Sequence, residues 1–260
     1  MVRIVGVSAL VASLLAADAV AAGPGRREVV VFAATSVREP FAKLAARFEE
    51  RHPGVKVVIS TAGSDELRHL IEHGARPDVI SSSDWKQVNL LADTHRAEPP
   101  LRFACNQLVI VARPDLAVPI RGLGDLPRVP RLAVGIDGVP VGRYAREAVR
   151  KGAAVFGEDF AKRVEARIVS REKVARLVVE KVASGGADAG ITYRNEALAP
   201  NSKLKVIPIE PQFDVVVEYT IAVVKDALHP DLAQQWIEMV QSPEGVAALE
   251  GAGFVRCAGK

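Results

Sequence analysis

The sequence predicts an α/β fold of two lobes, each a doubly wound and mostly parallel sheet, joined by two hinge strands. Three observations lead to this expectation. A strand pattern that switches at small polar residues to a helical pattern occurs three times in succession before residue 95. The same switch recurs from residue 132 onward. Two long extended stretches, around residues 103–111 and 217–224, separate these sets and would frame a hinged cleft.

The first strand-to-helix unit sets the pattern for the others. A β-branched and aromatic run ends in Thr35-Ser36, and an amphipathic helix follows with Val37 and Phe41 on its inner face. Because the first N–H groups of a helix have no internal partners, Ser36 is placed where an anion would bind. Two capping roles are the alternatives: Ser36 forms a capping box with Glu39, or Glu39 is itself the cap and leaves Ser36 free.

The remaining elements follow in order along the chain. Further strands are expected over residues 56–61, 79–81, 101–111, 132–135, 164–169, 187–193 and 215–224. Further helices are expected after Ser64, Trp85, Val141 and Ser170, and near the C-terminus around residues 232–240 and 246–249. The Pro- and Gly-punctuated segment 113–130 is expected to connect elements, with one short helix. Ligands of such sheets bind outside the carboxyl ends of the strands.

Composition and charge exclude some function classes. The chain has 260 residues, about half of them apolar and a quarter charged, and a formal net charge of +3. This charge is too small to indicate a nucleic-acid-binding protein, and no stretch interleaves basic and aromatic residues. No nucleic-acid partner is therefore expected.

The N-terminus has the pattern of a cleaved signal peptide. Arg3 precedes an apolar run over residues 4–20, and Ala19-Val20-Ala21 has the A-x-A spacing of a signal-peptidase site. A transmembrane anchor is the competing interpretation, but Asp18 interrupts the run. We expect residues 1–22 to be the signal peptide and the mature protein to be periplasmic.

Cys105 and Cys257 are the two cysteines of the sequence. In an oxidising compartment they could pair and tie the middle of the chain to its end. Two free thiols fit the sequence equally well, because the distance between them is not visible in it.

Four strand-to-helix junctions share one chemical character. They are Thr35-Ser36, Gly63-Ser64, Val141-Gly142 and the start of the helix after Ser170. Each presents hydroxyls or bare backbone N–H groups, and none has a lysine or arginine at the junction itself. Neutral donors suit a fully ionised oxyanion, and Tyr193, at the end of a strand, adds a phenolic donor. An Asp or Glu in the cleft would instead select a protonated oxyanion, and none is expected at these junctions.

Several stretches together match one known family. They are residues 31–36, 62–64 with Leu67, 77–81 and 106–109, and the two most specific stretches, 139–145 and 186–193. On these residues the chain resembles the periplasmic molybdate-binding proteins of ABC importers, over nearly all of its mature length. The resemblance implies a type II periplasmic binding protein fold, with residues 28–104 and 218–260 in lobe 1 and residues 105–217 in lobe 2.

The resemblance also implies a ligand and the residues that hold it. A tetrahedral molybdate or tungstate dianion would lie between the lobes, bound by Ser36, Ser64, Val141, Ala175 and Tyr193. Val141 and Ala175 would donate through their backbone N–H groups. With the register shifted by one residue, Val174 would be the donor in place of Ala175. Delivery to an ABC permease in the inner membrane, a monomeric state, and no catalytic residue, cofactor or metal beyond the oxyanion are implied as well. Asp65-Glu66, after Ser64, departs from the family pattern and raises the electrostatic cost of a dianion.

Two other functions remain as alternatives. The same fold could bind sulfate, another small anion or a small organic acid. In a different class, His69-x-x-Glu72-His73 matches an inverted zinc-protease signature, with both histidines on one helical face and Glu72 as base. A solvated face of His and Glu side chains explains the same motif. Arg143 and Tyr144 are expected to be surface and packing residues.

Overall fold

The structure, a computed structural model, describes residues 27–199 and 203–257. These residues form two lobes, each built around one five-stranded sheet with helices packed against it. The two-lobed α/β fold predicted from the sequence is thereby confirmed. The predicted signal peptide, residues 1–22, lies outside the described residues.

Strands and helices alternate along most of the chain. The strands are β1 (Arg27–Ala34), β2 (Val55–Ala62), β3 (Val79–Ser82), β4 (Leu101–Asn106), β5 (Leu108–Ala112), β6 (Leu132–Gly135), β7 (Ile168–Glu172), β8 (Ala189–Tyr193), β9 (Lys205–Pro208) and β10 (Val217–Val223). The helices are α1 (Arg38–Arg51), α2 (Ser64–Glu72), α3 (Trp85–Asp93), α4 (Pro140–Phe156), α5 (Asp159–Glu165), α6 (Ala175–Ala183), α7 (Arg194–Ala197), α8 (Pro230–Gln241) and α9 (Pro243–Gly251). Short 3-10 helices cover Thr35–Val37 and Leu123–Arg128, the latter in the segment expected to connect elements.

The two sheets have matching topologies. The first has the strand order β2-β1-β3-β10-β4, with β1 parallel to β2 and β3, and β10 antiparallel to β3 and β4. The second has the order β7-β6-β8-β5-β9, with β6 parallel to β7 and β8, and β5 antiparallel to β8 and β9. Each lobe therefore contains three parallel strands followed by helices, the arrangement in which ligands bind at the carboxyl ends of strands.

The single strand expected over residues 101–111 is two strands in two different sheets. β4 ends at Asn106 in the first sheet, and β5 begins at Leu108 in the second. The side-chain Oδ1 of Asn106 accepts a hydrogen bond from the Gln107 N–H at 2.9 Å. This local bond takes the Gln107 donor away from either strand ladder. The chain thus crosses between the lobes at Gln107 and returns between β9 and β10.

The elements before α6 also differ from the sequence expectation. Val164, expected in a strand over residues 164–169, lies on α5 and is buried there together with Phe160, four residues earlier. Its apolar character thus follows helical rather than strand spacing. Ser170 lies within β7, and α6 begins only at Ala175. The prediction that a helix begins directly after Ser170 is therefore wrong, because the strand continues to Glu172 and a short loop precedes the helix.

The C-terminal helices return to the first lobe. Trp236 on α8 is buried and its ring packs edge-on against Phe41 and Phe48 of α1, with centroids 5.4 and 5.7 Å apart. This aromatic cluster holds α8 against α1 beneath the first sheet.

A disulfide fastens the end of the chain to the edge of the first sheet. Val255 pairs with Cys105 of edge strand β4, and Cys105 is bonded to Cys257. Of the two states that the sequence left open, the structure has the disulfide. The tail covers backbone groups of an edge strand that would otherwise be open for pairing.

Candidate functional site

A small cavity lies between the two lobes, at the carboxyl ends of their parallel strands. The cavity has a volume of about 20 Å³, which is comparable to the space needed by one or two water molecules. All five residues singled out from the sequence line this one cavity: Ser36, Ser64, Val141, Ala175 and Tyr193. The cavity is thus the size of a single small ion and has walls from both lobes.

Ser36 follows β1 and lies in the short 3-10 helix before α1. Its hydroxyl is 2.8 Å from the hydroxyl of Tyr219, on β10. Helix α1 begins at Arg38 with Val37 as its N-cap, and no side chain of the described residues caps it. Both capping interpretations, the Ser36–Glu39 box and Glu39 as the cap, are therefore wrong. When Tyr219 donates to the Ser36 oxygen, the Ser36 proton is available to a ligand.

Ser64 is the first residue of α2 and is buried. Its Oγ accepts a hydrogen bond from the Ser83 backbone N–H at 3.1 Å and lies 3.2 Å from the Ser83 hydroxyl. Ser83 also lines the cavity, although the sequence did not single it out as a site residue. The visible signal for it was its position directly after β3, at a strand end like the others.

Val141 and Ala175 lie in the first turns of α4 and α6. No side chain of the described residues caps either helix, whereas Asp84 caps α3 and Ser242 caps α9. The first backbone N–H groups of α4 and α6 are thus left for a ligand or for water. Val174, the N-cap of α6, lines the cavity beside Ala175, and the choice between these two donors stays a prediction.

Tyr193 is the last residue of β8 and is almost fully buried. Its hydroxyl makes no hydrogen bond of ordinary geometry to any described residue, although the nearby Ser83 hydroxyl acts on it and opposes the rise of its pKa. Burial raises the pKa of this phenol well above its ordinary value, so the group keeps its proton and is a donor. A buried hydroxyl without a partner costs about 1–3 kcal/mol, a cost that an acceptor bound in the cavity would remove.

The lobes touch each other around the cavity. The side-chain amide of Asn195, on α7, donates to the Ser36 backbone oxygen at 2.9 Å. Arg143 of α4 is ion-paired with Asp84, at the start of α3. From the sequence Arg143 was expected to be a surface residue. In the structure its ion pair with Asp84 also connects the two lobes. These contacts close the lobes over the cavity.

Glu196 is an acidic residue in the wall of the cavity. It lies on α7 and is 9% exposed, and burial raises the pKa of its carboxyl to about 7. Glu196 belongs to none of the four junctions considered from the sequence, so the absence of acidic residues at those junctions did not predict it. The sequence signal was weak, because α7 is a single turn and its spacing shows no pattern.

The zinc-site motif has another explanation in the structure. His69 Nδ1 lies 3.1 Å from a Glu72 carboxylate oxygen, and His73 Nδ1 lies 2.7 Å from the His69 backbone oxygen. Within the described part of the chain, no group of three or more His, Cys, Asp or Glu side chains could hold a metal ion. The motif therefore forms local contacts on the surface of α2.

Within residues 27–199 and 203–257, no helix combines the length and the apolar character needed to cross a bilayer.

Comparison with known proteins gives a consistent picture. A family model described as bacterial extracellular solute-binding protein matches residues 29–255. The molybdate-binding protein ModA of Mycobacterium tuberculosis is 35% identical over 238 residues, covering 90% of this chain and 88% of that protein.

Solved structures resemble the fold closely. The substrate-binding domain of a putative molybdenum ABC transporter from Clostridium difficile is 26% identical, with a TM-score of 0.69, and the match covers 89% of this chain and 99% of that one. The sulfate-binding protein SubI of Mycobacterium tuberculosis has a TM-score of 0.77 at 17% identity, covering 88% and 86%. The second likeness is one of fold alone.

Proposed function

The chain belongs to the bacterial extracellular solute-binding protein family, and we propose that it captures molybdate between its lobes and delivers it to an ABC permease. Tungstate, a dianion of the same shape, is the second ligand of this proposal. The similarity to ModA and to the molybdenum transporter domain supports both the ligand and the permease partner. The proposed role is binding and delivery, with no catalytic step.

One observation carries the proposal. Five residues chosen from the sequence as oxyanion donors, and drawn from both lobes, line a single cavity of ionic size. Uncapped helix starts and the unpartnered hydroxyl of Tyr193 supply neutral donors there. A fully ionised dianion is stabilised by such dipoles, and the wall of the cavity also contains one lysine, Lys173.

Each donor has a definite part in the proposal. Ser36, Ser64 and Tyr193 donate through their hydroxyls, and Val141 and Ala175 donate through the backbone. The two lobes, predicted as residues 28–104 with 218–260 and as residues 105–217, open to admit the anion; residues 105, 106 and 217 belong to strands of the first lobe. The proposal also includes removal of a signal peptide at residues 1–22, a monomer in the periplasm, and no cofactor.

Sulfate is the second candidate ligand. The sulfate-binding neighbour has the same fold, and neutral donors suit any tetrahedral dianion. Sulfate is the smaller ion, so donor spacing rather than charge would separate the two.

Parallel titration of the mature protein with molybdate, tungstate, sulfate and phosphate tests the proposal. Titration calorimetry should give one site per chain, with molybdate or tungstate bound at least about 100-fold more tightly than sulfate, a difference of about 2.7 kcal/mol. Tighter binding of sulfate would replace molybdate by the second candidate. A protein that binds none of the four anions would overturn the proposed function.

A further inference from the structure

Glu196 stands between the small cavity and a larger groove. The groove has a volume of about 540 Å³. Three residues line both the groove and the cavity: Thr35, Ser36 and Glu196. The rest of the groove is formed mainly by α1, α6 and the end of α9. Glu196 thus lies in the wall that the groove shares with the proposed anion site.

No cation of the described residues forms an ion pair with the Glu196 carboxylate. Arg176 of α6 is the cation whose charge opposes the rise of the Glu196 pKa, but its Nε lies 2.8 Å from a Glu180 oxygen and is shared with that residue. Glu39 of α1 and Glu180 both act on Glu196 with the same sign of charge as its own. The carboxyl therefore lies buried between two acids and one shared arginine.

Other charged and titratable groups lie around the two spaces. On α7 itself, Arg194 donates to the Gly253 backbone oxygen at 2.7 Å. Glu250 of α9 pairs with Arg256 at 2.6 Å. The phenols of Tyr193 and Tyr219 have raised pKa values because they are buried, and they stay neutral. Three further cations line the two spaces: Arg38 and Lys43 in the groove, and Lys173 in the cavity.

We propose that Glu196 takes up one proton when the oxyanion binds, so that the wall of the occupied cavity carries no negative charge. This inference rests on the proposed function, and it concerns the ionic state of the site rather than the identity of the ligand. Glu196 is then a residue that sets affinity according to pH.

The physical basis is the interaction of two negative charges in one enclosed space. Burial is the largest of the effects that raise the pKa of Glu196, which is about 7 in the empty protein. A dianion beside the carboxyl disfavours its ionised form still further, so the pKa must rise on binding. Proton binding and anion binding therefore favour each other. A protonated carboxyl also has an O–H donor, whereas a carboxylate only accepts.

The sign of the pH dependence follows from this order of pKa values. Below about pH 6 the carboxyl is protonated before the anion arrives, and affinity does not change with pH. Between the pKa of the empty protein and that of the complex, affinity falls as pH rises. If the complex forms only with protonated Glu196, the dissociation constant rises about tenfold between pH 6 and pH 8, following the protonated fraction of a group with a pKa of about 7.

Calorimetric titration of the mature protein with molybdate in two buffers of different ionisation enthalpy measures the proton directly. Near pH 8 the wild type should take up close to one proton per molybdate, seen as a difference in binding enthalpy between the buffers. Glu196→Gln should bind molybdate with no proton uptake and no change of affinity between pH 6 and pH 8. Glu250→Gln, which removes another carboxyl of the groove wall, should behave like the wild type.

The other outcomes overturn either the inference or the proposed function. Molybdate binding by the wild type with no proton exchange overturns the inference and leaves the proposed function standing. Proton uptake that persists in Glu196→Gln places the proton on another group or on the anion itself and also overturns the inference. Failure of the wild type to bind any oxyanion overturns the proposed function instead. The wild-type measurement needs no variant, so a misfolded Glu196→Gln protein does not prevent the test.

Discussion

The guanidinium of Arg143, on the second lobe, forms an ion pair with the carboxylate of Asp84, on the first. Asp84 is 2% exposed, and its other oxygen caps α3 by accepting from the Gln87 N–H at 3.0 Å. Asp84 directly follows Ser83, and Arg143 comes two residues after Val141, and both of these neighbours line the cavity. The ion pair therefore joins the lobes immediately beside the proposed anion site.

Replacing Arg143 by Met should weaken molybdate binding about 10- to 100-fold. In the closed protein the change leaves the buried Asp84 carboxylate unpaired and close to a dianion, and truncating one partner of such a pair costs about 2–5 kcal/mol. The expected loss lies at the lower end because Arg143 is partly exposed. Arg146→Met is the matched control, because Arg146 pairs with Asp137 inside the second lobe. Equal calorimetric affinities of the two variants would contradict a role for this pair in closure.

Replacing Ser36 by Ala should weaken molybdate binding about 10- to 150-fold. The variant removes a hydroxyl donor to a charged oxygen, and such hydrogen bonds contribute about 1.5–3 kcal/mol. Ser184→Ala is a suitable control, because within the described part of the chain that hydroxyl donates only to the Lys181 backbone oxygen, at the exposed end of α6. A calorimetric titration in which both variants match the wild type would remove Ser36 from the ligand set.

Four of the five candidate donors were accessible from the sequence because each of them belongs to a local pattern. Ser36, Ser64 and Val141 mark points where strand spacing gives way to helix spacing, and parallel strands bring such points to one edge of a sheet. The register of the donor at Ala175 came from the family resemblance, not from a local pattern. The chain before it was assigned wrongly, because a short apolar stretch fits a strand and a helix equally well.

The contacts between the lobes were not accessible in the same way. The Asp84–Arg143 pair and the position of Glu196 depend on how two separately folded sheets face each other, and no spacing in the sequence encodes this. The disulfide joins residues 152 positions apart and was undecidable for the same reason. Local patterns thus predicted the donors, while the charges that surround them required the tertiary structure.

Replacing Gly142 by Ala should destabilise the protein and weaken anion binding together. A Cβ at this position would overlap the backbone oxygen of Ile136, so the first turn of α4 must shift and carry the Val141 N–H with it. Overpacking of this kind costs about 1–3 kcal/mol of unfolding free energy. At Gly138 a Cβ would meet no atom within 4 Å, and Gly138→Ala should leave both properties unchanged. Urea denaturation and molybdate titration of the two variants test this prediction. A Gly142→Ala protein as stable and as tightly binding as Gly138→Ala would contradict it.

Removing the disulfide should lower stability without changing affinity. Replacing both Cys105 and Cys257 by Ser frees the C-terminal tail from β4, and loss of a native disulfide costs about 2–5 kcal/mol. Neither cysteine lines the cavity, so the molybdate dissociation constant should stay within about twofold of the wild-type value. A thiol assay on the denatured, unreduced wild type should detect no free thiol. Two reactive thiols in that assay would contradict the bond.

Replacing Tyr193 by Phe should separate stability from affinity. In the empty protein the lost hydroxyl has no hydrogen-bond partner among the described residues, so its removal should leave the unfolding free energy unchanged or raise it by up to about 1 kcal/mol. In the complex the same change removes a donor to the dianion and should weaken binding at least tenfold, by about 1.4 kcal/mol or more. Tyr219→Phe is the matched control, because it breaks an existing bond to Ser36 and should lower stability by about 1 kcal/mol. If urea denaturation of the empty protein shows Tyr193→Phe to be as destabilised as Tyr219→Phe, the Tyr193 hydroxyl already has a partner and is not held ready for the anion.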